Sequence, residues 1–416
     1  MTLSEELKWR GFVNQTTLSD INRLDNNNWI FYHGFDASAD SQTVGNLAAM
    51  MLDKVFLRHG HKGILLAGGA TSLIGDPGGK DAERILQSEE TVAKNVESAK
   101  QQIESIFQGY EITLVNNLDW FKDMTVIEFL RDVGKNFSMT PLVQRDYIAK
   151  RMGEGGSGIS YTEFSYTLLQ GYDFLHLHQK FGVNLQLSGS DQWGNCISGV
   201  DLVRRETGDE VNALTMPLII NKTTGKKFGK SEDGAVWLDP KKTSPYKFYQ
   251  FWLNVDDEGI EGYLKVYTEL EKSKIEQVMQ EFDDDKSSRS AQRILAYEVT
   301  SLVHGKQAAD SVANITDVLF GDKDYTDISA DNIVQLKSEL PLSESSIGEP
   351  VINALVEAGL AESNSQARRF IEQNAVYVNG NPINLDYRFS KDDLIDGKHA
   401  VLRRGKNSNA IVQIKN

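Results

Sequence analysis

The chain has 416 residues, an apolar fraction of 40% and a formal net charge of −15, which allows two or three globular domains and argues against a general binder of polyanions. No apolar run approaches the length of a membrane span, and the first residues lack the apolar core of a signal peptide. The single cysteine, Cys196, excludes an internal disulfide framework and suits a reducing compartment. We therefore expect a soluble, cytoplasmic protein with no membrane partner.

The first 220 or so residues alternate strand-like and helix-like segments. The predicted strands are 29–35, 63–69, 111–116 and 184–188, and the predicted helices are 43–60, 88–108 and 162–180. This alternation favours a parallel sheet covered by helices, in which ligands bind beyond the carboxyl ends of the strands. Three of these strand ends are followed by the segments 34–40, 69–80 and 189–195. We expect functional residues there.

Between these elements, the glycine-rich segment 152–160 predicts a loop. After residue 220 the pattern becomes helical and continues so to about 319. Ser244 and Pro245 indicate the start of a helix, because serine is a good N-cap residue and proline fits the first helical position. The segment 321–348 is acidic and contains several serines, which is typical of a linker with short ordered pieces.

The last segment, 349–416, predicts two helices followed by a strand and an Asn379–Gly380 turn. From Gly348 onward there are nine Lys/Arg and eight Asp/Glu, so 9 − 8 = +1, which leaves −16 for the preceding part. The pattern resembles the small RNA-binding domain of the ribosomal small-subunit S-four type. The candidate phosphate contacts are Arg368, Arg369, Arg403 and Arg404. A solvated helix face is the alternative interpretation.

Two short segments, far apart in the sequence, predict a phosphate-binding site. The first, YHGFDASADSQTVGN at 32–46, joins an apolar strand to an apolar-periodic helix, and backbone N–H groups at such a helix start can hold phosphate. The second, KKFGKS at 226–231, places Lys227 and Lys230 around Gly229 on a short loop that can close over an anion. Solvated surface lysines are the alternative for this loop.

Together these segments resemble the two signature motifs of class I aminoacyl-tRNA synthetases. The segments GFDASADS, LLAGGATSLIGDPGGK, ISYTEFSYTLLQGYDFLHL and LSGSDQWGN further resemble bacterial tyrosyl-tRNA synthetases in order and spacing. The resemblance covers nearly the whole chain and implies an α/β fold. The resemblance implies a Rossmann-like parallel-sheet catalytic domain at 1–220, with an acceptor-arm and dimer insertion near 115–160, followed by a lysine-loop region at 221–242. After these it implies an α-helical anticodon-side domain at 243–320, the linker 321–348 and a small α+β RNA-binding domain at 349–416.

The resemblance also implies a tyrosine pocket. Its residues, from the phenol end to the carboxylate end of the substrate, would be Tyr32, Asp173, Asp76, Tyr166, Gln170 and Gln192. The first two would contact the phenolic hydroxyl, the next three the ammonium, and the last the carboxylate. Tyr166, Gln170 and Asp173 are spaced i, i+4 and i+7 and so share one helix face. Flanking apolar residues favour a ligand there over a solvated face.

ATP is the second implied substrate, accompanied by Mg²⁺, with no dedicated metal site. The residues implied near the nucleotide are Gly34, Asp36, Gly45, Asn46, Asp191, Lys230 and Ser231, and His33 could also reach the ribose. Those implied to stabilise charge on the departing phosphates are Ser38, Thr43, Lys80, Arg84, Lys227 and Lys230. The tyrosine carboxylate would attack the α-phosphorus of ATP, and tyrosine would then pass to the 3′ end of tRNA(Tyr), with no protein nucleophile.

The implied macromolecular partners are tRNA(Tyr) and a second copy of the chain in a homodimer. The segment 140–152, with Arg145, Lys150 and Arg151, would meet the acceptor arm of the tRNA. Residues 120–133 are a candidate subunit interface, and core packing is an equal alternative for their apolar side chains.

The first signature departs from the family, because Thr43-Val44-Gly45-Asn46 stands where two histidines are usual. A threonine hydroxyl can donate one hydrogen bond but carries no charge, and the loss of one transition-state donor costs about 3–4 kcal/mol. The Asn46 amide can present an N–H near the place of the second histidine. Three hypotheses stay open. They are an active tyrosine–tRNA ligase with an altered phosphate site, a paralogue that activates tyrosine or an analogue for another acceptor, and a catalytically weak RNA-binding protein on the same scaffold.

Overall fold

The computed structural model describes residues 1–76, 86–231, 234–320, 325, 328–405 and 408–415. The chain forms two compact units. The first comprises Met1–Thr243 and Leu253–Leu295, and the second comprises Ser244–Trp252 and Ala296–Asn416. Within the described residues, every helix is too short or too polar to cross a membrane.

The strands and helices follow one another along the chain with short connections. The strands are β1 (Gln15–Thr16), β2 (Ile30–Asp36), β3 (Lys62–Gly68), β4 (Ile112–Asn116), β5 (Leu185–Gly189), β6 (Asn212–Met216), β7 (Lys230–Ser231), β8 (Gly234–Ala235), β9 (Leu342–Ser346), β10 (Val376–Val378), β11 (Asn381–Pro382), β12 (His399–Arg404) and β13 (Ser408–Lys415). The helices are α1 (Leu3–Arg10), α2 (Val44–Arg58), α3 (Gly69–Ile74), α4 (Glu89–Ile106), α5 (Leu118–Phe121), α6 (Val126–Glu128), α7 (Met139–Val143), α8 (Asp146–Met152), α9 (Tyr161–Phe181), α10 (Trp193–Thr207), α11 (Pro245–Leu253), α12 (Ile260–Tyr267), α13 (Lys272–Asp284), α14 (Ser290–His304), α15 (Lys306–Phe320), α16 (Ala330–Glu339), α17 (Val351–Glu357) and α18 (Asn364–Glu372).

The first unit is built on a six-stranded sheet in the order β1-β6-β5-β2-β3-β4. Strands β2 to β6 run parallel, and only the short edge strand β1 pairs antiparallel. The Rossmann-like parallel sheet is therefore confirmed, and the four predicted strands lie within one residue of β2, β3, β4 and β5. Their apolar composition made them visible in the sequence, because strands covered on both faces are continuously apolar.

Helices α9 and α10 cover one face of this sheet. Buried Ile64 and Leu66 of β3 pack with Phe174 of α9 and Leu202 of α10 in one apolar core. Helix α9 ends at Gly182, whose φ of 72° is in the left-handed region that favours glycine. Because α9 is fixed in this way, its polar face is held at the carboxyl end of the sheet.

The second unit contains a five-stranded sheet in the order β11-β10-β12-β13-β9. Its core includes Leu355 of α17, Ile371 of α18 and Leu402 of β12. The predicted Asn379–Gly380 turn joins β10 to β11, with φ of 46° and 79° at its two residues. Both positive values fit a two-residue hairpin turn, which asparagine and glycine tolerate best.

The described part of the predicted linker 321–348 is more regular than the sequence indicates. It contains α16 and β9, and β9 pairs in parallel with β13. Ser343 and Ser345 are buried on this strand, so serine side chains occupy positions where an apolar alternation would have revealed a strand. The C-terminal sheet thus begins at Leu342, ahead of the predicted boundary at 349.

Candidate active site

Two adjacent cavities lie at the carboxyl ends of β2, β3 and β5. Their volumes are about 390 Å³ and about 310 Å³. The residues that line both are His33, Asn46, Ala49, Gly189, Asp191 and Lys227. These shared walls make the cavities two compartments of one cleft, and we call them the large and the small compartment.

The large compartment brings together all six residues predicted to bind tyrosine, namely Tyr32, Asp76, Tyr166, Gln170, Asp173 and Gln192. Three of them come from α9 at the predicted spacing of i, i+4 and i+7. Gly34 and Asp36 also line this compartment. The segments after the three predicted strand ends therefore do converge, as the position of ligands in parallel sheets requires.

Asp173 lines the large compartment and is only 2% exposed. Its Oδ1 accepts a hydrogen bond from Trp120 Nε1 at 2.9 Å, and its Oδ2 accepts one from Asn117 Nδ2 at 3.1 Å. Burial raises the pKa of Asp173 to about 8, and the two hydrogen bonds oppose this rise. Asn117 is not among the predicted site residues, although it follows directly after β4, and a position after a strand end is the signal that identified the other segments.

Three buried polar atoms in this compartment lack hydrogen-bond partners among the described residues. They are the Tyr32 hydroxyl, Gln170 Oε1 and Gln186 Oε1. Buried polar atoms are normally paired, so three such atoms around one cavity indicate a polar ligand. Gln186 is not among the predicted site residues. It lies between two leucines in the buried strand β5, and a polar residue inside an apolar strand is the feature that could have identified it.

Side-chain amides hold another part of the lining of the large compartment. Gln192 Nε2 donates to Asp76 Oδ2 at 2.7 Å, and Gln192 Oε1 accepts from Asn195 Nδ2 at 3.0 Å. Asp76 is 7% exposed. A buried carboxylate beside an amide N–H can bind an ammonium and a carboxylate on the same small molecule.

The two signature segments meet in space at the small compartment. A β-carbon added at Gly229 would lie 3.2 Å from the Gly45 nitrogen, so the lysine loop packs directly on the first turn of α2. Val44 N donates to Val236 O at 3.0 Å, and Val236 N donates to Gly229 O at 2.9 Å. Phe228 stacks on Tyr263 with ring centroids 4.3 Å apart, which fixes the loop from its other side.

At the first turn of α2, Thr43 and Asn46 contact each other. Asn46 Oδ1 accepts from the Thr43 backbone N–H at 3.0 Å and from the Thr43 hydroxyl at 2.7 Å. Because the two Thr43 donors both bind Oδ1 of the Asn46 amide, Nδ2 of Asn46 is directed away from Thr43. Asn46 lines both compartments, so its amide N–H groups are the better placed donors of this pair.

His33 and Asp53 form a buried pair behind the shared wall of the two compartments. His33 Nδ1 lies 2.9 and 3.0 Å from the two carboxylate oxygens of Asp53, which is fully buried on α2. Burial raises the pKa of Asp53, and His33 opposes this rise. With Nδ1 held by Asp53, Nε2 is the ring nitrogen that can face a ligand.

The remaining predicted residues divide into four groups. Gly45 and Thr43 line the small compartment, whereas Ser38 is exposed and lies outside the lining of both compartments. Lys80 and Arg84 lie outside the described residues. Lys230 and Ser231 are described by their backbone, which forms β7. Among the described residues, no three His, Cys, Asp or Glu side chains are grouped so as to hold a metal ion.

The cations predicted to meet the acceptor arm have different surroundings. Arg145 donates to Thr167, Asn195, Ser198 and the Gly194 carbonyl. Arg151 forms a buried ion pair with Glu163 at 2.7 Å. Lys150 is exposed. The guanidinium groups of Arg145 and Arg151 are therefore engaged within the protein.

In the second unit, the four arginines predicted to bind RNA lie on α18 and β12. Arg368 and Arg369 are exposed and line a groove together with Glu362 and Glu372. The guanidinium groups of Arg369 and Arg404 lie 5.8 and 5.2 Å from the Phe370 ring centroid. Arg403 stacks on Tyr377 at 4.2 Å. Phe370 thus connects a cation of α18 with a cation of β12.

Comparison with known proteins agrees with this geometry. Residues 24–321 match the family model of class I tRNA synthetases for tryptophan and tyrosine, and residues 332–412 match that of the C-terminal domain of tyrosine–tRNA ligases. A parallel sheet whose two signature segments meet at its carboxyl edge, matched over this length, defines a class I aminoacyl-tRNA synthetase.

Individual relatives narrow the class further. The chain is 43% identical to tyrosine–tRNA ligase 1 of Streptococcus thermophilus, over 99% of this chain and 100% of that one. It is 44% identical, over the same shares, to tyrosine–tRNA ligase of Streptococcus pyogenes. The solved C-terminally truncated mitochondrial tyrosyl-tRNA synthetase of Aspergillus nidulans matches with a TM-score of 0.68 and 31% identity, over 75% of this chain and 92% of that one. The chain belongs to the tyrosyl-tRNA synthetase family, the tyrosine–tRNA ligases.

Proposed function

We propose that the cleft activates L-tyrosine with ATP, giving tyrosyl-adenylate and pyrophosphate, and that the tyrosyl group then passes to the 3′ end of tRNA(Tyr). The observation that carries this proposal is the polar lining of the large compartment. The lining contains the buried Tyr32 hydroxyl and Asp173 carboxyl, and it also contains the hydrogen-bonded pair of Asp76 and Gln192. A phenol, an ammonium and a carboxylate on one small molecule would satisfy these groups.

In this proposal the phenolic hydroxyl of tyrosine binds between Tyr32 and Asp173. The ammonium binds among Asp76, Tyr166 and Gln170, and the carboxylate lies near Gln192. Asp76 is the charged group of the ammonium site, and charge-assisted hydrogen bonds are the strongest of these contacts. Such a site rejects phenylalanine, as is established for this family, because an amino acid without the hydroxyl leaves buried polar groups unpaired.

ATP would occupy the small compartment, with its ribose near Asp191 and His33. A carboxylate oxygen of tyrosine attacks the α-phosphorus, the bond from that phosphorus to the bridging oxygen breaks, and pyrophosphate leaves with the electron pair. Lys227 and the Asn46 amide would stabilise the departing charge. Mg²⁺ would travel with the nucleotide. The contributions of Lys80, Arg84, Lys230, Ser231, Ser38 and Thr43 stay predictions.

For the partners, we propose a homodimer whose interface includes the region around α6. Val126 and Ile127 are 72% and 70% exposed, and Leu130 is 45% exposed. Adjacent exposed aliphatic side chains are typical of an interaction surface, and the exposure of these three supports the interface over core packing. The tRNA would contact the helical region and the C-terminal arginines. The domain boundaries given above and a cytoplasmic location stay predictions.

Tyrosine-dependent exchange of pyrophosphate into ATP tests the proposal. We expect exchange with tyrosine and much less with phenylalanine, followed by charging of tRNA(Tyr). Adenylate formation without charging would favour a paralogue that serves another acceptor. No exchange at saturating substrates would favour an RNA-binding protein on the same scaffold, against which the complete tyrosine compartment already argues.

A further inference from the structure

A continuous chain of hydrogen bonds runs from Arg145 to the floor of the large compartment. Arg145 Nη1 donates to Asn195 Oδ1 at 3.1 Å, and Asn195 Nδ2 donates to Gln192 Oε1 at 3.0 Å. Gln192 Nε2 then donates to Asp76 Oδ2 at 2.7 Å. Asn195 is 6% exposed and Asp76 is 7% exposed, whereas Arg145 and Gln192 are half-buried.

The two ends of this chain fix its direction. Arginine only donates hydrogen bonds, and an ionised aspartate only accepts them. Arg145 therefore requires the oxygen of the Asn195 amide, and Thr167 supports this choice by donating its hydroxyl to the same oxygen at 2.8 Å. The Asn195 NH₂ must then face Gln192 Oε1. Consequently the Gln192 NH₂ faces Asp76 and the compartment.

We propose that Arg145 and Asn195 are positioning residues that fix the orientation of the Gln192 amide, so that it presents an N–H to the carboxylate of the bound amino acid. This inference rests on the proposed function, in which that carboxylate lies near Gln192. An NH₂ group has two hydrogens, and Asp76 takes one of them. If the amide were reversed, Gln192 Oε1 would face both Asp76 and the substrate carboxylate, and three acceptors would meet without a donor.

Arg145 also stabilises the first turns of α10. It donates to the Gly194 carbonyl at 2.7 Å and to Ser198 Oγ at 2.6 Å, both on α10. Replacing Arg145 would therefore disturb the start of α10 as well as the chain of hydrogen bonds. Asn195 is the better residue to mutate. Among the described residues, its side chain bonds only to Arg145 and Gln192, which belong to the hydrogen-bond chain, and to Thr167, which supports the same orientation of the Asn195 amide.

The test compares two ligands that differ only in the carboxylate, tyrosine and tyramine, by isothermal titration of the full-length protein. In Asn195→Leu we expect the dissociation constant for tyrosine to rise about tenfold, since a hydrogen bond to a charged group is weakened. The affinity for tyramine should stay within about twofold. Asn195→Asp, whose two oxygens would draw the Gln192 NH₂ away from the substrate, should weaken tyrosine binding at least as much.

Ser198→Ala is the matched control, because it removes a bond of Arg145 outside the chain of hydrogen bonds and should change neither affinity. Equal loss of tyrosine and tyramine binding in Asn195→Leu would overturn the inference, since it would indicate a general collapse of the compartment. Unchanged tyrosine binding would also overturn it. If the unaltered protein bound neither ligand, the proposed function would fail, and the positioning role with it.

Discussion

Trp120 Nε1 donates a hydrogen bond of 2.9 Å to Asp173 Oδ1 at the buried end of the large compartment. The sequence placed Trp120 in a candidate subunit interface or in the core, whereas the indole supports the group proposed to recognise the phenol. Trp120 and Asn117 each donate to one oxygen of the Asp173 carboxyl. These two hydrogen bonds stabilise the ionised form, which burial disfavours.

Asp173→Asn is expected to change the pH dependence of stability. The folded pKa of Asp173, about 8, lies above the value of about 4 for an unfolded aspartate. Between these values the folded state holds the extra proton, so stability falls as pH rises, by at most about 1.4 kcal/mol per pH unit. An amide at this position cannot titrate, so the variant should gain stability relative to the unaltered protein from pH 5 to pH 8, while it loses tyrosine binding.

Urea unfolding at several pH values measures this difference. The exposed neighbour Asp119 provides the control, because Asp119→Asn should leave the pH dependence unchanged. A constant difference between Asp173→Asn and the unaltered protein across this range would contradict the raised pKa.

Tyr32→Phe should lower kcat/KM for tyrosine about three- to tenfold, the value of one neutral hydrogen bond. The hydroxyl has no partner among the described residues, so its removal should leave the unfolding midpoint unchanged or slightly raised. Activation of phenylalanine, measured by the same pyrophosphate exchange, serves as the internal control and should not fall. An equal loss for both amino acids would show that Tyr32 acts through packing.

Asn46→Ala should lower the rate of adenylate formation about tenfold or more, because it removes a donor proposed for the departing phosphates. Thr43→Val should have a smaller effect, since the Thr43 backbone N–H still holds Asn46 Oδ1. Single-turnover kinetics separate this rate from product release. A larger effect of Thr43→Val would assign the phosphate contact to the threonine hydroxyl.

His33→Phe should destabilise the protein by about 3 kcal/mol or more at neutral pH, because it leaves the buried Asp53 carboxyl without its partner. Adding Asp53→Leu should recover most of the lost stability, since the carboxyl that has lost its partner is then removed. Chemical denaturation of both single variants and the double variant gives the coupling energy. Additive effects would mean that the two side chains do not depend on each other.

Ile127→Glu should convert a dimer into a monomer, because it places a charge in the middle of the exposed aliphatic surface around α6. Sedimentation equilibrium measures the assembly state. Val334→Glu is the matched control, since Val334 is 69% exposed on α16 and should leave the mass unchanged. A dimer that persists in Ile127→Glu would place the interface elsewhere.

Local chemistry explains which features could be predicted. The strands β2 to β5 are apolar runs, and the face shared by Tyr166, Gln170 and Asp173 follows from helical spacing, so both were readable along the chain. The proposed role of that face in binding tyrosine came from the family resemblance. Strand β9 escaped prediction because its buried positions are serines. Arg145 was predicted to meet RNA because the family resemblance places the acceptor arm at 140–152, yet its guanidinium is engaged by residues 22 to 53 positions away.

The sequence by itself determined the parallel-sheet fold, because the alternation of apolar strands and amphipathic helices is a short-range pattern. The two signature segments and the six residues predicted to bind tyrosine came from the resemblance of short segments to a known family. Only the tertiary structure decided which polar atoms pair and which stay open to a ligand. The orientation of Asn46 by Thr43, the burial of Asp53 against His33 and the direction of the Arg145–Asp76 chain all join residues through space. Hydrogen-bond direction depends on every donor and acceptor within reach, and that set exists only after folding.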